Sequence, residues 1–271
     1  METVRRVLKE KVLNKKIKRV NVLYDRIIES DLNDFKKDLI GLEFKDILRR
    51  GKWLLFDIGD YYLCSHLRME GKYFVKDHSL PIDKHEHVIF EFEDKTDLRY
   101  ADVRKFGRMN LVKKELLETV EGVHKQGREP VDNDFVKEKL TKEYLYEKVH
   151  DKKLPLKELL LDQTIISGLG NIYADEVAFA AQLNPLKEGK DLSESDCKKI
   201  VDASRKIITK AIEEGGTTIR SYTSSLGVTG NYQNFLQVHK REGEPCKNCG
   251  TIINRIKVGG RSTYFCPKCQ G

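Results

Sequence analysis

The sequence predicts an α+β fold, with an antiparallel β-sandwich or barrel first, a helical second part and a β-hairpin at the end. Three observations support this prediction. Short β-rich runs follow one another from Ile17 to about Val112, too closely for helices to alternate with them. Apolar residues then recur at helical spacing up to Glu214. Finally, two Cys-x-x-Cys pairs flank a strand–turn–strand pattern.

The first part combines one helix with many strands. Met1–Lys16 has apolar residues on one face and Lys or Arg elsewhere, which predicts an amphipathic helix. Eight short apolar runs with polar breaks favour antiparallel pairing over βαβ units. The predicted strands are Ile17–Val22, Glu43–Arg49, Lys52–Ile58, Tyr61–Leu67, Gly71–Val75, His87–Phe92, Asp97–Asp102 and Arg108–Val112.

The second part predicts helices joined by turns. Ser193-Glu-Ser-Asp196 is a typical helix start, and Gly215-Gly216 is a typical stop. Gly168-Leu-Gly-Asn171 predicts either a plain interhelical turn or a turn whose backbone N–H groups bind phosphate. The predicted helices are Asn133–Leu140, Lys142–Val149, Leu156–Leu161, Tyr173–Ala181 and Ser193–Glu214.

The end of the chain predicts a metal site. Sixteen residues separate Cys246-Lys-Asn-Cys249 from Cys266-Pro-Lys-Cys269, a spacing typical of four thiolates around one structural Zn²⁺. Gly259-Gly260 predicts the turn of a hairpin between the pairs, with Arg261 directly after it. Residues 235–271 carry seven Lys or Arg and two acidic residues, a net +5 of the chain's +7 before metal binding. Such a compact basic hairpin suits phosphate binding.

Composition and length narrow the class of protein. A chain of 271 residues with 39% hydrophobic and 34% charged residues is typical of a globular protein with two domains. No run reaches the roughly 18 apolar residues of a membrane span, so no membrane contact is expected. Cys64 and Cys197 are isolated, which favours a reducing cytoplasm over a disulfide framework.

Eight motifs, in order along the whole chain, resemble the formamidopyrimidine-DNA glycosylase family, bacterial enzymes that remove oxidised purines. The thymine-glycol branch of the superfamily is the nearest competitor, but Met-Glu-Gly, Arg-Lys-Phe-Gly and Gly-Gly-Thr-Thr look more like the oxidised-purine branch. The motifs are Glu2-Thr-Val-Arg-Arg6, Arg49-Arg-Gly-Lys-Trp53, His66-Leu-Arg-Met-Glu-Gly71, Lys84-His-Glu-His87, Arg99-Tyr-Ala-Asp-Val-Arg-Lys-Phe-Gly107, Gly168-Leu-Gly-Asn-Ile-Tyr-Ala174, Gly215-Gly-Thr-Thr218 and the four-cysteine hairpin.

The resemblance implies domains and a reaction. It implies a β-sandwich catalytic domain over 1–115 and a linker over 116–130. A helix–two-turn–helix DNA-binding domain would follow over 131–234, with a lesion loop at 217–230, and a four-cysteine zinc finger over 235–271. It further implies a bacterial, cytoplasmic, nucleoid-associated monomer that binds damaged double-stranded DNA. Base excision of 8-oxoguanine or formamidopyrimidines would precede β,δ-elimination.

The resemblance also implies roles for single residues. Lys52 and Arg261 are expected at the catalytic centre. Met69, Arg104 and Phe106 would form a wedge that fills the space left by an extruded nucleotide. Without the resemblance, Met69 and Phe106 would be predicted as core residues. The residues expected to hold the DNA backbone are His85, Arg104, Lys153, Asn171 and Arg261.

The sequence departs from the family at its start. The family begins Pro-Glu-Leu-Pro-Glu-Val-Glu-Thr-Val-Arg-Arg, whereas here Met1 stands in the place of Val. The Met1 amine would lie roughly 15 Å from the carbon that the family's proline attacks, whereas reaction needs about 3–3.5 Å. We therefore expect the chain as written not to form the Schiff base at a normal rate. Either its start was assigned too far downstream, or it is a natural truncation that binds damaged or abasic DNA without cutting it.

A second class of protein has the same kind of tail. A zinc-finger DNA-binding or transcription-associated protein would not need Lys52, His85 and Arg104 in one chain. It would bind duplex DNA by sequence, with no preference for a lesion.

Overall fold

The computed structural model describes residues 1–132, 135–136, 138–217 and 230–271. The chain divides into two compact units. Unit 1 contains Met1–His124, and unit 2 contains Lys125–Thr217 and Asn231–Gly271. Among the described helices, none combines the length and apolar character that crossing a membrane requires.

Unit 1 is built from two four-stranded antiparallel sheets, in the orders β1-β6-β7-β5 and β2-β3-β4-β8. All eight predicted strands are confirmed. Helix α1 (Glu2–Val12) precedes the sheets, and helix α2 (Leu32–Asp38) lies between the first two strands. The strands are β1 (Ile17–Val22), β2 (Asp46–Arg50), β3 (Trp53–Asp57), β4 (Tyr61–His66), β5 (Lys72–Asp77), β6 (Glu86–Phe92), β7 (Thr96–Ala101) and β8 (Arg108–Lys113).

Both sheets of unit 1 contribute to one hydrophobic core, as expected for a sandwich. Phe44 lies at the centre of an aromatic cluster, with its ring centroid 5.4 Å from that of Phe56 on β3 and 5.8 Å from that of Phe92 on β6. Leu8 and Val12 close the core from α1. The apolar side chains of both sheets therefore face the same interior.

The described residues of unit 2 form four α-helices around a second core. They are α3 (Lys142–Val149), α4 (Leu156–Leu161), α5 (Asn171–Ala180) and α6 (Glu194–Glu213). Ser193 caps α6 by accepting the N–H of Asp196, whose carboxylate accepts the N–H of Ser193 in return. Of the helix predicted over Asn133–Leu140, residues 133, 134 and 137 lie outside the described part, and Lys139 forms an isolated bridge with Glu129.

The last element of unit 2 is the predicted hairpin, formed by β9 (Asn254–Val258) and β10 (Arg261–Phe265). Gly259 and Gly260 make its two-residue turn with φ of 53° and 74°. Positive φ at both central residues defines the turn type that matches the twist of a hairpin, and glycine adopts it at least cost. The α+β fold with a terminal hairpin is therefore confirmed.

Candidate nucleic-acid interface and metal centre

Four cysteines form a metal centre at the base of the hairpin. The Sγ atoms of Cys246, Cys249, Cys266 and Cys269 all lie within 4.8 Å of one another. Cys246 and Cys269 have their Sγ atoms 3.9 Å apart, and Cys249 and Cys266 have theirs 3.5 Å apart. A tetrahedral Zn²⁺ with bonds of about 2.3 Å needs sulfur separations of about 3.8 Å. The residues fit one structural zinc, with no open coordination position for water.

The metal centre is anchored to the helical core by a buried glutamine and a buried glutamate. Gln270 accepts the N–H of Cys266 at 2.9 Å and donates from Nε2 to the carbonyl of Leu183, also at 2.9 Å. Glu176 accepts three successive backbone N–H groups, from Gln237 to His239, at 2.8–3.0 Å. These contacts fix both the segment that enters the finger and its last residues.

A buried ionic chain connects two helices with the entry to the finger. Lys157 on α4 places Nζ 2.5 Å from Oδ1 of Asp175 on α5, and Oδ2 of Asp175 lies 2.6 Å from Nδ1 of His239. Lys157 and Asp175 are almost wholly buried. Burial lowers the pKa of Lys157, and the Asp175 carboxylate opposes that shift. Sequence reasoning missed these residues, although the acidic pair 175–176 inside an apolar helix was a usable signal.

Asn171 and Arg261 lie on neighbouring elements. Asn171 begins α5, and its Nδ2 donates to the carbonyl of Ser262 at 3.1 Å, directly after the exposed Arg261. The start of α5 therefore presents its first-turn N–H groups beside the hairpin. Lys153 is exposed in the turn before α4, and no contact within the described residues of unit 2 joins it to Asn171 or Arg261.

Three predicted wedge residues meet on the surface of unit 1. Met69 and Phe106 are 67% and 52% exposed, so a core role for them is wrong. Nη1 of Arg104 donates to Sδ of Met69 at 3.0 Å, and the Arg104 guanidinium lies 4.7 Å from the centroid of the Phe106 ring. The exposed apolar side chains of Met69 and Phe106 could stack against bases, and the guanidinium of Arg104 could donate hydrogen bonds to a base edge.

The predicted lysine lies at a tight turn close to the start of α1. Lys52 is half-buried in the two-residue turn between β2 and β3. The buried Arg49 donates to the carbonyl of Gly51 at 3.1 Å and to the Glu2 carboxylate at 3.1 Å. Burial raises the pKa of Glu2, but hydrogen bonds from three arginines outweigh it and lower the value to about 2. The charged Glu2 thus ties the N-terminus of α1 to the turn that carries Lys52.

His66 is a second group near Lys52 that sequence reasoning did not assign. Its ring packs edge-on against Trp53 with centroids 5.0 Å apart, and its Nδ1 accepts the N–H of Arg68 at 3.0 Å. Burial, together with the charges of Arg68, Lys52 and Arg108, lowers the pKa of His66 to about 4. The imidazole is therefore neutral at physiological pH.

His85 lies beside the wedge, whereas most of the predicted lesion loop is not described. The carbonyl of the half-buried His85 accepts the N–H of Asp102 at 3.0 Å, at the start of the loop that carries Arg104 and Phe106. Within the loop predicted at 217–230, residues 218–229 lie outside the described part. The Thr217 hydroxyl lies 2.9 Å from that of Tyr173.

Comparison with known proteins covers nearly the whole chain. Three family models match: the formamidopyrimidine-DNA glycosylase N-terminal domain over residues 1–109, the formamidopyrimidine-DNA glycosylase H2TH domain over 127–223, and a zinc finger found in FPG and IleRS over 243–271. The formamidopyrimidine-DNA glycosylases of Ligilactobacillus salivarius and Streptococcus pneumoniae are 47% and 43% identical to this chain. The matches cover all of this chain and 96% and 97% of those proteins.

Solved structures show the same similarity. A Lactococcus lactis FPG mutant in complex with a Fapy-dG containing DNA is 42% identical, with a TM-score of 0.92. The Lactococcus lactis Fpg bound to an abasic site containing DNA gives the same values. Both matches cover 99% of this chain and 97% of the other.

Proposed function

The chain belongs to the formamidopyrimidine-DNA glycosylase family, and on this premise we propose that it is a base-excision-repair glycosylase and abasic-site lyase. It removes 8-oxoguanine and formamidopyrimidines from duplex DNA and cleaves the strand by β,δ-elimination. The observation that carries the proposal is the exposed cluster of Met69, Arg104 and Phe106 on a fold that matches solved DNA complexes with a TM-score of 0.92. We also propose that it acts as a monomer in the bacterial cytoplasm, on nucleoid DNA.

The wedge acts when the damaged nucleotide leaves the duplex. Unstacking a base costs a few kcal/mol, and inserted apolar side chains can replace part of the lost stacking. The exposure of Met69 and Phe106 supports this role. Arg104, whose guanidinium already lies between their side chains, would donate hydrogen bonds to the base left without a partner.

Five residues are proposed to bind the DNA backbone: His85, Arg104, Lys153, Asn171 and Arg261. Arg261 is exposed, and a guanidinium stays charged at all physiological pH values, so it suits phosphate binding better than proton transfer. The amide of Asn171 has two N–H donors. One donates to the Ser262 carbonyl, which leaves the second for a phosphate.

Chemistry is centred on Lys52 and the start of α1. Arg49 and Glu2 hold the α1 N-terminus at the turn that carries Lys52, which supports a catalytic centre at this point. Lys52 would bind a phosphate and assist proton transfer, with the neutral His66 beside it. Arg261 would bind a phosphate of the damaged strand and assist the elimination steps.

The test uses duplexes with 8-oxoguanine opposite cytosine and the same duplex with guanine. Cleavage at the lesion only, leaving a one-nucleotide gap, is the result that supports the proposal, and borohydride trapping measures the rate at which the covalent adduct forms. Lys52→Ala should slow cleavage while retaining lesion binding. As a matched control, Lys37→Ala removes an exposed lysine near the end of α2 and should cleave like the wild type.

Two other outcomes have different meanings. Selective binding of the lesion duplex without cleavage or adduct would replace the glycosylase by a damaged-DNA or abasic-site binding protein. Sequence-dependent binding with no lesion preference would reject both and favour the transcription-associated class.

A further inference from the structure

Two glycines and one buried tyrosine bring the two wedge loops together. Met69 lies between β4 and β5, in a loop that ends at Gly71, and the loop from Asp102 to Gly107 carries Arg104 and Phe106. A Cβ atom would lie 2.4 Å from the Tyr100 hydroxyl oxygen at Gly71 and 1.7 Å from it at Gly107. Both distances are too short for any side chain. The wholly buried Tyr100 hydroxyl is therefore packed against the backbone of both loops.

Asp102 is the hydrogen-bond centre of the second loop. Its Oδ1 accepts the N–H of Arg104 at 3.0 Å. Its Oδ2 accepts the N–H groups of Phe106 and Gly107 at 2.9 and 2.8 Å, and the Tyr100 hydroxyl at 3.3 Å. Asp102 is 1% exposed, so these bonds to its carboxylate are formed away from water and are strong.

The loop needs this support because its backbone is unusual. Lys105, between the two wedge residues of the loop, has φ of 57°, in the left-handed region that costs energy for a side chain with a Cβ. Residues 103–106 are exposed, and none of them belongs to the hydrophobic core of unit 1. Bonds from Asp102 on both sides of Lys105 offset the strain and hold Arg104 and Phe106 in one arrangement.

The backbone of Asp102 extends the network to two histidines. Its N–H donates to the carbonyl of His85 at 3.0 Å, and its own carbonyl lies 2.8 Å from Nε2 of the buried His87. His85, which is proposed to bind a phosphate, is thus fixed to the loop that carries Arg104 and Phe106.

We propose that Asp102, with the Tyr100 hydroxyl, is the positioning residue of the wedge. It sets the spacing of the two loops so that Met69, Arg104 and Phe106 enter the duplex as one preorganised unit, without ordering three flexible side chains on binding. The inference rests on the proposed function, which gives the wedge its role. Because Asp102 is buried, it would act through the loop and not by contact with the DNA.

The first variant is Asp102→Asn, which keeps the shape of the side chain. One acceptor oxygen becomes an NH₂ group that faces backbone N–H donors, so at least one of the loop's bonds is lost. The probe is a duplex with a tetrahydrofuran abasic analogue opposite a fluorescent cytosine analogue. We expect about tenfold weaker binding and a smaller fluorescence change at saturation, given the usual strength of a hydrogen bond to a charged group.

A second substrate separates positioning from general damage to the fold. When 8-oxoguanine faces a one-nucleotide gap, there is no opposite base for Arg104 to bind. We expect kcat of Asp102→Asn to fall about tenfold with 8-oxoguanine opposite cytosine and much less opposite the gap. A loss of equal size on both substrates would mean that Asp102 has only a structural role.

Two further variants complete the test. Tyr100→Phe removes one hydroxyl and keeps the ring, so it folds even if Asp102→Asn does not, and it should reduce the fluorescence change by about twofold. Asp94→Asn makes the same change in a surface turn, where Asp94 accepts the N–H and hydroxyl of Thr96 at 3.0 and 2.6 Å, and should match the wild type.

The outcomes distinguish this inference from the proposed function. If wild-type protein neither binds nor cuts lesion duplexes, the proposed function fails. Suppose instead that the wild type binds and cuts lesion duplexes, and that folded Asp102→Asn and Tyr100→Phe give the same affinity and the same fluorescence change. The positioning role of Asp102 is then wrong, and the proposed function stands.

Discussion

His66 illustrates how burial fixes the protonation state of one residue near Lys52. The pKa of His66 is about 4 in the folded chain, against an ordinary value of 6.5. As pH falls, the unfolded chain takes up this proton first, so the free energy of unfolding decreases between pH 6.5 and 4 and His66 contributes no further change below pH 4. At about 1.4 kcal/mol per pKa unit, the full loss is about 3.5 kcal/mol.

His66→Asn should remove this part of the pH dependence. An asparagine oxygen can still accept the N–H of Arg68 two residues later, but the side chain no longer titrates. Urea unfolding of both proteins at pH 7.5, 6.0 and 5.0 measures the difference. Wild type should lose more stability than the variant on acidification, and parallel curves would contradict the assignment.

Arg261 is the residue whose removal tests the finger's contact with phosphate. Its side chain is exposed on the first residue of β10, so Arg261→Ala should leave the fold intact. Binding to abasic and lesion duplexes should weaken, and the slope of log K against log salt should become about 0.9 shallower for one lost phosphate contact. Lys268→Ala, an equal loss of charge at an exposed position near the metal centre, is the control. Equal affinity and equal salt slopes for wild type and Arg261→Ala would contradict the role.

Some residues of the site could be found from the sequence and others could not. Cysteine spacing predicted the four metal ligands because ligand pairs are local in the chain. Asp175 and His239 are 64 residues apart, and no periodicity links them. Asp102 was part of a recognised motif, but its role depends on backbone N–H groups, which leave no trace in residue types.

At the scale of elements, two kinds of pattern were reliable signals. The predicted α6 was confirmed because its helical period extends over 20 residues, and the eight strands of unit 1 were confirmed because short apolar runs alternate with polar breaks. The seven-residue α2 was missed because two turns are too short to show a period. Its local signal was Asp31, whose carboxylate accepts the N–H groups of Asn33 and Asp34 as an N-cap. The domain boundaries at 115, 130 and 234 stay predictions.

The order of the zinc hairpin should depend on each of its four metal-binding sulfur atoms. Cys249→Ser replaces one of four thiolates by a poor zinc ligand, so the hairpin should loosen and DNA binding should be lost. Fluorescence anisotropy with an abasic duplex, alongside zinc content, measures both effects. Cys197→Ser, at a buried cysteine on α6 outside the metal centre, should keep the zinc and the affinity. Unchanged affinity of the wild type in excess chelator would contradict the prediction.

At the scale of the whole molecule, the described residues form one large hydrophobic core in each unit, with a smaller cluster at the metal centre. The metal centre is attached to the helices of unit 2 by the hydrogen bonds of Glu176 and Gln270. The buried ionic chain Lys157–Asp175–His239 makes a second connection. A buried charge is costly once its partner moves away. Displacement of the finger would therefore disturb α4 and α5 as well as the hairpin.

Removal of zinc should consequently loosen one unit and spare the other. After chelation, hydrogen exchange followed by mass spectrometry should show faster exchange first in β9 and β10, then at residues 237–239 and in α5. The strands β1–β8 should keep their protection, because their core contains none of the residues that contact the metal centre. Restoring zinc should reverse the change, which separates it from irreversible unfolding. Loss of protection to the same extent in β1–β8 would show that the metal supports both cores.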